Sequence, residues 1–218
     1  SNKSGETMKT LAKILSVGAL VSGSLLTSSV ASADVSYNVG FVSEYYYRGA
    51  FQKSSSASAG VDYEQSGFYV GAWTADVGDG LEVDGYLGYG GEVGDFTYGV
   101  GFTGYYYTGD FDETYEEINL SAGYGPVSIG YSIGEYDVNG GVDYDFLEVS
   151  IDLGAGFYGT YGTWGDEFDG DYFEVGYGTT VSEIDLGIAL IFPSDELEGD
   201  AGTDAAGEGI ALSIGKSF

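Results

Sequence analysis

Side-chain chemistry in this chain has to come mainly from carboxylates, because it carries 35 acidic residues, no histidine and no cysteine. Pairs such as Glu82 with Asp84, or Glu116 with Glu117, have the composition that acid–base catalysis uses. Outer-membrane lipases, acyltransferases and proteases mostly draw on a histidine as base or base partner, and there is none. A chain this acidic makes carboxylate pairs by chance, so no catalytic residue and no cofactor is expected. The run Asp137-x-Asn139-x-Gly141-x-Asp143-x-Asp145-x-x-Glu148 sets oxygen ligands at calcium-loop spacing. Val142 stands where that loop needs glycine, and the flanking helices are missing, so the match is a coincidence and no metal site is expected. Basic chemistry is scarcer still. The only arginine, Arg48, follows Tyr45, Tyr46 and Tyr47 directly.

The N-terminus bears on where these residues work. Residues 1–7 precede Met8 and read as a tag scar or a miscalled start. Residues 8–33 combine Lys9 and Lys13, an apolar stretch from Ile14 to Leu26, and the small residues Ala31-Ser32-Ala33 before Asp34. That pattern is a secretory signal peptide, too short in its apolar part to span a bilayer as a helix. The remaining chain, 34–218, keeps Arg48, Lys53 and Lys216 against an acidic set that has lost only Glu6. Such a charge balance repels nucleic acid and attracts cations.

From Asp34 onward, apolar and polar residues alternate in segments of about ten residues separated by Gly, Asp, Asn and Ser clusters, the period of strands with two unlike faces. Clear examples are Val35, Tyr37, Val39, Phe41; Ile118, Leu120, Ala122, Tyr124; and Ile184, Leu186, Ile188, Leu190, Phe192. Weaker segments at 55–64, 68–77 and 157–165 bring the count to about twelve, within a range of roughly 10–14. Even-numbered connections are tight, as at Gly125-Pro126. Odd-numbered ones are expected to be mostly longer and acidic: Arg48 to Ser54, Thr108 to Thr114, Asn139 to Asp145, Gly165 to Asp171 and Pro193 to Gly209, with Asp76 to Gly80 short.

Short turns on one rim and long loops on the other predict an all-β, transmembrane, antiparallel up-and-down β-barrel over 34–218, placed in the bacterial outer membrane. The competing reading is a secreted soluble β-sandwich or solenoid, which has no need of alternating loop lengths. Tyr45 to Tyr47, Tyr105 to Tyr107, Trp73 and Trp164 fit aromatic girdles at the membrane interfaces. Lys216 falls on the outward face near the C-terminus, where it can snorkel to the interface.

The stretches Val42-Ser43-Glu44-Tyr45-Tyr46-Tyr47-Arg48-Gly49 with Gln52, Ser66-Gly67-Phe68-Tyr69-Val70-Gly71-Ala72-Trp73, and Glu82-Val83-Asp84-Gly85-Tyr86 with Gly88-Tyr89 resemble the TorF family of porins, also labelled Gcw_chp, an outer-membrane family of unsettled function. The resemblance covers the first half of 34–218 and continues beyond it only as general pattern. It implies an outer-membrane barrel, a pore by family name, and an association with trimethylamine N-oxide respiration.

Parity turns the residues opposite the apolar set toward the lumen. Glu82, Asp84, Glu117, Glu148 and Glu174 then lie toward the outer end, and Asp62, Asp152 and Asp185 toward the tight-turn rim. Carboxylates ringing a lumen favour cations, so the expected function is a narrow passive channel for small cationic or zwitterionic solutes. The alternative is a structural or adhesive barrel with a closed lumen and acidic, cation-binding outer loops. The same parity sends Tyr45 and Tyr47 to the interface and turns Glu44, Tyr46 and Arg48 inward, where Arg48 either pins the first loop to Glu44 or to a carboxylate of a neighbouring strand, or simply marks the strand end with its stem over tyrosine rings and its charge in water. Expected partners are outer-membrane lipids and lipopolysaccharide, small solutes, and the barrel-assembly machinery through the C-terminal Phe218. Nucleic acid is not among them.

Overall fold

The computed structural model describes residues 34–197 and 207–218; the expected leader over 8–33 and the segment 1–7 lie outside the described residues. Alternation becomes twelve strands: β1 (Asp34–Tyr47), β2 (Ala50–Gln65), β3 (Phe68–Gly78), β4 (Gly80–Val93), β5 (Phe96–Thr108), β6 (Tyr115–Tyr124), β7 (Val127–Tyr136), β8 (Val142–Gly154), β9 (Phe157–Asp166), β10 (Asp171–Val181), β11 (Ile184–Pro193) and β12 (Gly209–Ser217). Each pairs antiparallel with its neighbours in the chain, and β1 pairs with β12, closing an up-and-down barrel. Closure leaves no sheet edge, which is the condition for a sheet to sit in hydrocarbon. Phe218 completes the seam: its N–H donates to the Tyr37 carbonyl at 2.9 Å, and the Tyr37 N–H donates back at 3.2 Å.

The alternation resolves into an apolar outside and a polar inside. Val35, Tyr37, Val39 and Phe41 on β1 are 44–55% exposed, and every other strand contributes large apolar residues to the same outer face. A soluble sandwich buries this face between two sheets, so that alternative is not the fold. Lys216 sits at the rim and donates to Glu183 in the β10–β11 turn at 3.3 Å.

One rim carries the expected tight turns, Ser66-Gly67, Gly94-Asp95, Gly125-Pro126, Ala155-Gly156 and Ser182-Glu183. The opposite rim carries the longer connections 109–114, 137–141, 167–170 and 194–208, with Asp79 alone joining β3 to β4. The first connection departs from expectation. It is the two residues Arg48 and Gly49, with φ of 47° and 85° as a type I′ hairpin turn requires, and β2 begins at Ala50. The serine-rich run after Lys53 lacks alternation, which hides a strand that its backbone nevertheless forms.

This hairpin is also where the barrel wall opens. β1 pairs with β12 only from Asn38 to Val42, and β2 pairs with β3 only from Ser58 to Gln65, while β1 and β2 stay paired up to Tyr47↔Ala50. Residues 43–57 are therefore a two-stranded ribbon free of both neighbours. At the points of departure, side chains replace the ladders: the Leu212 N–H donates to the Ser43 hydroxyl at 2.9 Å, and the Ser56 hydroxyl donates to the Asp76 carbonyl at 2.7 Å. A bulge between Tyr45 and Tyr46, with Ser55 at a φ of 63°, bends the ribbon. It folds across the lumen.

Refolded in detergent, residues 34–218 are expected to migrate differently on a denaturing gel before and after boiling, as a closed barrel resists the detergent until heated. Unchanged migration, with solubility in plain buffer, overturns the membrane-barrel reading of this fold.

Candidate functional site

The folded-in ribbon puts Arg48 against the far wall. Its Nη1 and Nη2 donate to Glu117 Oε2 and Oε1 of β6 at 2.9 and 2.7 Å, and Nη2 also donates to the Ser132 hydroxyl of β7 at 3.1 Å. The guanidinium lies 4.4 Å from the ring centroid of Phe146 on β8, 5.0 Å from Tyr47 and 5.3 Å from Trp164 on β9. Trp164 Nε1 donates to the Arg48 carbonyl at 3.2 Å, so backbone and side chain of the tip are both held. A planar fork with its donors matched to a carboxylate is the strong form of this pairing, and only arginine offers it.

Glu117 is the hub of the layer. Besides Arg48 it accepts from the hydroxyls of Tyr105 at 2.8 Å and Tyr144 at 3.1 Å, and from the Asn119 amide at 2.7 Å. It is 1% exposed and Arg48 5%. With charge and donors fully matched, the pair tolerates a burial that would otherwise cost several kcal/mol per ion.

The partner of Arg48 is thus neither Glu44 nor a carboxylate of an adjacent strand, as parity and proximity suggested. Nor do Tyr45 and Tyr47 reach the membrane interface. The ribbon has left the wall before this point, so residues in the outward phase of β1 meet the lumen instead of lipid: the Tyr45 hydroxyl donates to Glu82 Oε1 at 2.7 Å, and the Tyr47 ring packs edge-on against Tyr105. Glu44 and Tyr46 bond to each other at 3.3 Å, with Tyr46 over Gly209 of β12. Trp73, Tyr105, Tyr107 and Trp164 likewise leave the expected girdles: Trp73 and Tyr105 are buried, and Tyr107 packs against the same core. Tyr106 keeps the outward position.

The other lumen carboxylates divide by height. Glu82 and Asp84 on β4 and Glu174 on β10 are buried beside the ribbon, and Glu174 accepts from the Tyr158 hydroxyl at 2.6 Å. Glu148 is half-buried and accepts from Tyr172 at 3.1 Å. Asp62 lies lower in the lumen, bonded to the Tyr86 hydroxyl at 2.5 Å. Asp152 and Asp185 belong to the tight-turn rim, where Asp152 accepts from the Gly154 N–H at 2.7 Å and Asp185 from Thr180 at 2.6 Å. The calcium-spaced run does not converge: Asp137 and Asn139 lie in the connection, Asp143 and Asp145 on the outward side of β8, and Glu148 on the lumen side. No group of three metal-capable side chains occurs among the described residues.

Sequence reasoning missed the aromatic part of this layer: Tyr45, Tyr47, Trp73, Tyr105, Tyr144, Phe146, Trp164 and Tyr172. For all but the first two, the signal was available. Counted from the outward apolar residues of their own strands, they fall at lumen positions near the loop rim. Gly49 shows how tightly they fit, since a Cβ there would lie 2.6 Å from Tyr172 Cβ.

The model of a bacterial protein family of unknown function, Gcw_chp, matches residues 27–161. No curated protein sequence matches the chain. Among solved structures, OccK2 (OpdF) of Pseudomonas aeruginosa in complex with glucuronate is similar at 14% identity and a TM-score of 0.41, covering 88% of this chain and 68% of that one. OccAB2 of Acinetobacter baumannii is similar at 9% identity and a TM-score of 0.43, covering 88% and 66%. A BenF-like porin from Pseudomonas fluorescens Pf-5 is similar at 12% and 0.39, covering 88% and 65%.

Arg48→Gln leaves Glu117 buried without its cation and is expected to destabilise the folded barrel by about 3–5 kcal/mol, measured by urea unfolding in detergent. Glu117→Gln added to Arg48→Gln is expected to recover part of that loss, and additive losses would show that the two side chains are not coupled. Gly49→Ala is expected to cost about 1–3 kcal/mol by driving the tip off Tyr172.

Proposed function

The chain belongs to the Gcw_chp family of bacterial proteins of unknown function, and within it we propose an outer-membrane, porin-like passive channel for small cations or zwitterions. The observation that carries this reading is the lumen layer at the ribbon. Glu82, Asp84, Glu117 and Glu174 are buried there with Arg48 as the one basic residue among them, inside a barrel whose outer face is apolar on every strand. The closed ladder and apolar belt suit a bilayer, and the carboxylates set a negative potential where the passage is narrowest.

In this reading the ribbon sets the width of the pore. Twelve strands enclose more space than the eight-stranded type, whose side chains fill the interior. The tip of the β1–β2 hairpin occupies that extra space. Solutes pass as small, partly dehydrated species, and anions are disfavoured by the uncompensated carboxylates. Secretion through the 8–33 leader, delivery to the outer membrane through Phe218, and contact of the acidic outer loops with lipopolysaccharide through divalent cations complete the proposal. The narrower TorF assignment belongs to it as well, supported by the three motif stretches that carry the resemblance.

A second reading has its own observation. Arg48, Glu117, Tyr105 and Tyr144 are 1–5% exposed, so the layer is nearly filled. That favours a barrel that is closed at rest and serves a structural or adhesive role through its outer loops.

Planar-bilayer recording separates the two. The channel reading expects discrete conductance steps and, under a potassium chloride gradient, a reversal potential of cation-selective sign. Changing Glu82, Asp84, Glu117 and Glu148 together to glutamine is expected to move that potential toward zero. Absence of steps favours the closed barrel, and an anion-selective sign rejects the proposed selectivity.

A further inference from the structure

Three carboxylates share the buried layer on the β4–β6 side, and their partners differ. Glu117 has Arg48, and Glu82 accepts the Tyr45 hydroxyl. Asp84 is 0% exposed, and neither of its oxygens has a hydrogen-bond partner among the described residues. Its cross-strand neighbours are Trp73 on β3 and Tyr105 on β5, both buried on the same face. Trp73 Nε1 is itself without a partner. A donor and two acceptors left open side by side do not satisfy one another.

We propose that Asp84 and Trp73 form a seat for a partly dehydrated monovalent cation, bound directly by the Asp84 carboxylate and, through one of its waters, to the Trp73 indole N–H. The chemistry selects this class of ligand. A bare carboxylate in a water-poor layer attracts a positive charge strongly, because the low local dielectric leaves that charge little screened. The layer's one guanidinium is already committed to Glu117 in a bidentate pair. An indole N–H cannot bind a cation itself, but it can donate to a water in the cation's shell, whose oxygen still has a lone pair for the ion. Glu82, two residues along the same face of β4, adds negative potential without a free geometry of its own, being held by Tyr45. One open carboxylate, with Glu82 beside it held by Tyr45, offers a single charged ligand, which suits a single positive charge rather than a caged divalent ion.

The seat rests on the cation-channel reading only in being a stopping point on that path; binding itself needs no conduction. Thallium(I), a heavy monovalent cation that quenches indole fluorescence at contact, is the probe. In the detergent-folded protein, which has two tryptophans, thallium(I) nitrate is expected to give saturable quenching that potassium reverses by competition. Trp73→Phe is expected to remove the saturable component, leaving Trp164 with linear quenching at most. Asp84→Asn is expected to weaken the apparent affinity about tenfold or more, a difference well within reach of losing the one charged ligand. Asp84→Ser serves the same comparison if the asparagine variant fails the gel test of folding. Linear quenching in the parent protein overturns the seat, and so does an Asp84 variant that titrates like the parent. A parent that selects cations in bilayers but quenches linearly loses the seat and keeps the channel. Saturable, Asp84-dependent quenching in a protein that never conducts keeps the seat and rejects the channel.

Discussion

A buried ion pair spanning the lumen holds the upper half of this molecule in its observed form. Arg48 comes from the turn between β1 and β2, and Glu117 from β6, so the bond joins points that lie far apart around the wall. Residues 43–57 have given up their ladders to β12 and β3, and a ribbon with only internal pairing is marginal in isolation. Its position therefore depends on what its tip meets. Arg48 supplies charge and fork geometry, Trp164 binds its carbonyl, and Phe146 and Tyr47 flank the guanidinium. Removing the cation would leave Glu117 ringed by donors suited to an anion, but still buried without a counter-charge.

The size of the barrel explains why the chain has such a device. Eight strands close on a core that side chains can fill, and twelve leave a lumen that they cannot. Water would occupy that space in a wide pore. Here a turn of the backbone enters it, and glycine at position 49 lets the turn approach Tyr172 closely. Aromatic rings from β5, β8, β9 and β10 then pack beneath it, a small core built inside a barrel whose own outer face is apolar. Two environments of opposite kind are separated by the thickness of one sheet.

The polar groups in that core follow one pattern. Tyrosine hydroxyls donate to carboxylates throughout: Tyr45 to Glu82, Tyr105 and Tyr144 to Glu117, Tyr158 to Glu174, Tyr172 to Glu148. A phenol offers one donor and little charge, so it satisfies hydrogen-bonding capacity without neutralising the acid. The lumen layer is thereby closely hydrogen-bonded, and Glu117 is the one of these acids that also has a cation. Asp84 is the acid in the layer for which no phenol or guanidinium is provided among the described residues.

Much of this was legible in the residues alone. The period of two, the glycine-marked turns and the apolar outer set determined a barrel of about twelve strands, because side chains on a strand alternate faces whatever the rest of the chain does. The same rule placed Glu82, Asp84, Glu117, Glu148 and Glu174 inside, since the stretches of β4, β6, β8 and β10 around them run without a break in phase. It failed beyond Val42, where the ribbon leaves the wall and bends at its bulge, so that the outward phase of β1 no longer faces lipid. A bulge costs little locally and leaves no composition signal, so whether it forms is settled by what the bent ribbon can pack against. The partner of Arg48 lies beyond any local rule for the same reason. Sequence proximity pointed to Glu44, four residues away, while the ion pair that forms is separated by 69 positions. Only closure of the barrel brings β6 across from the first turn, and only the absence of a filled core leaves room for Arg48 to reach it.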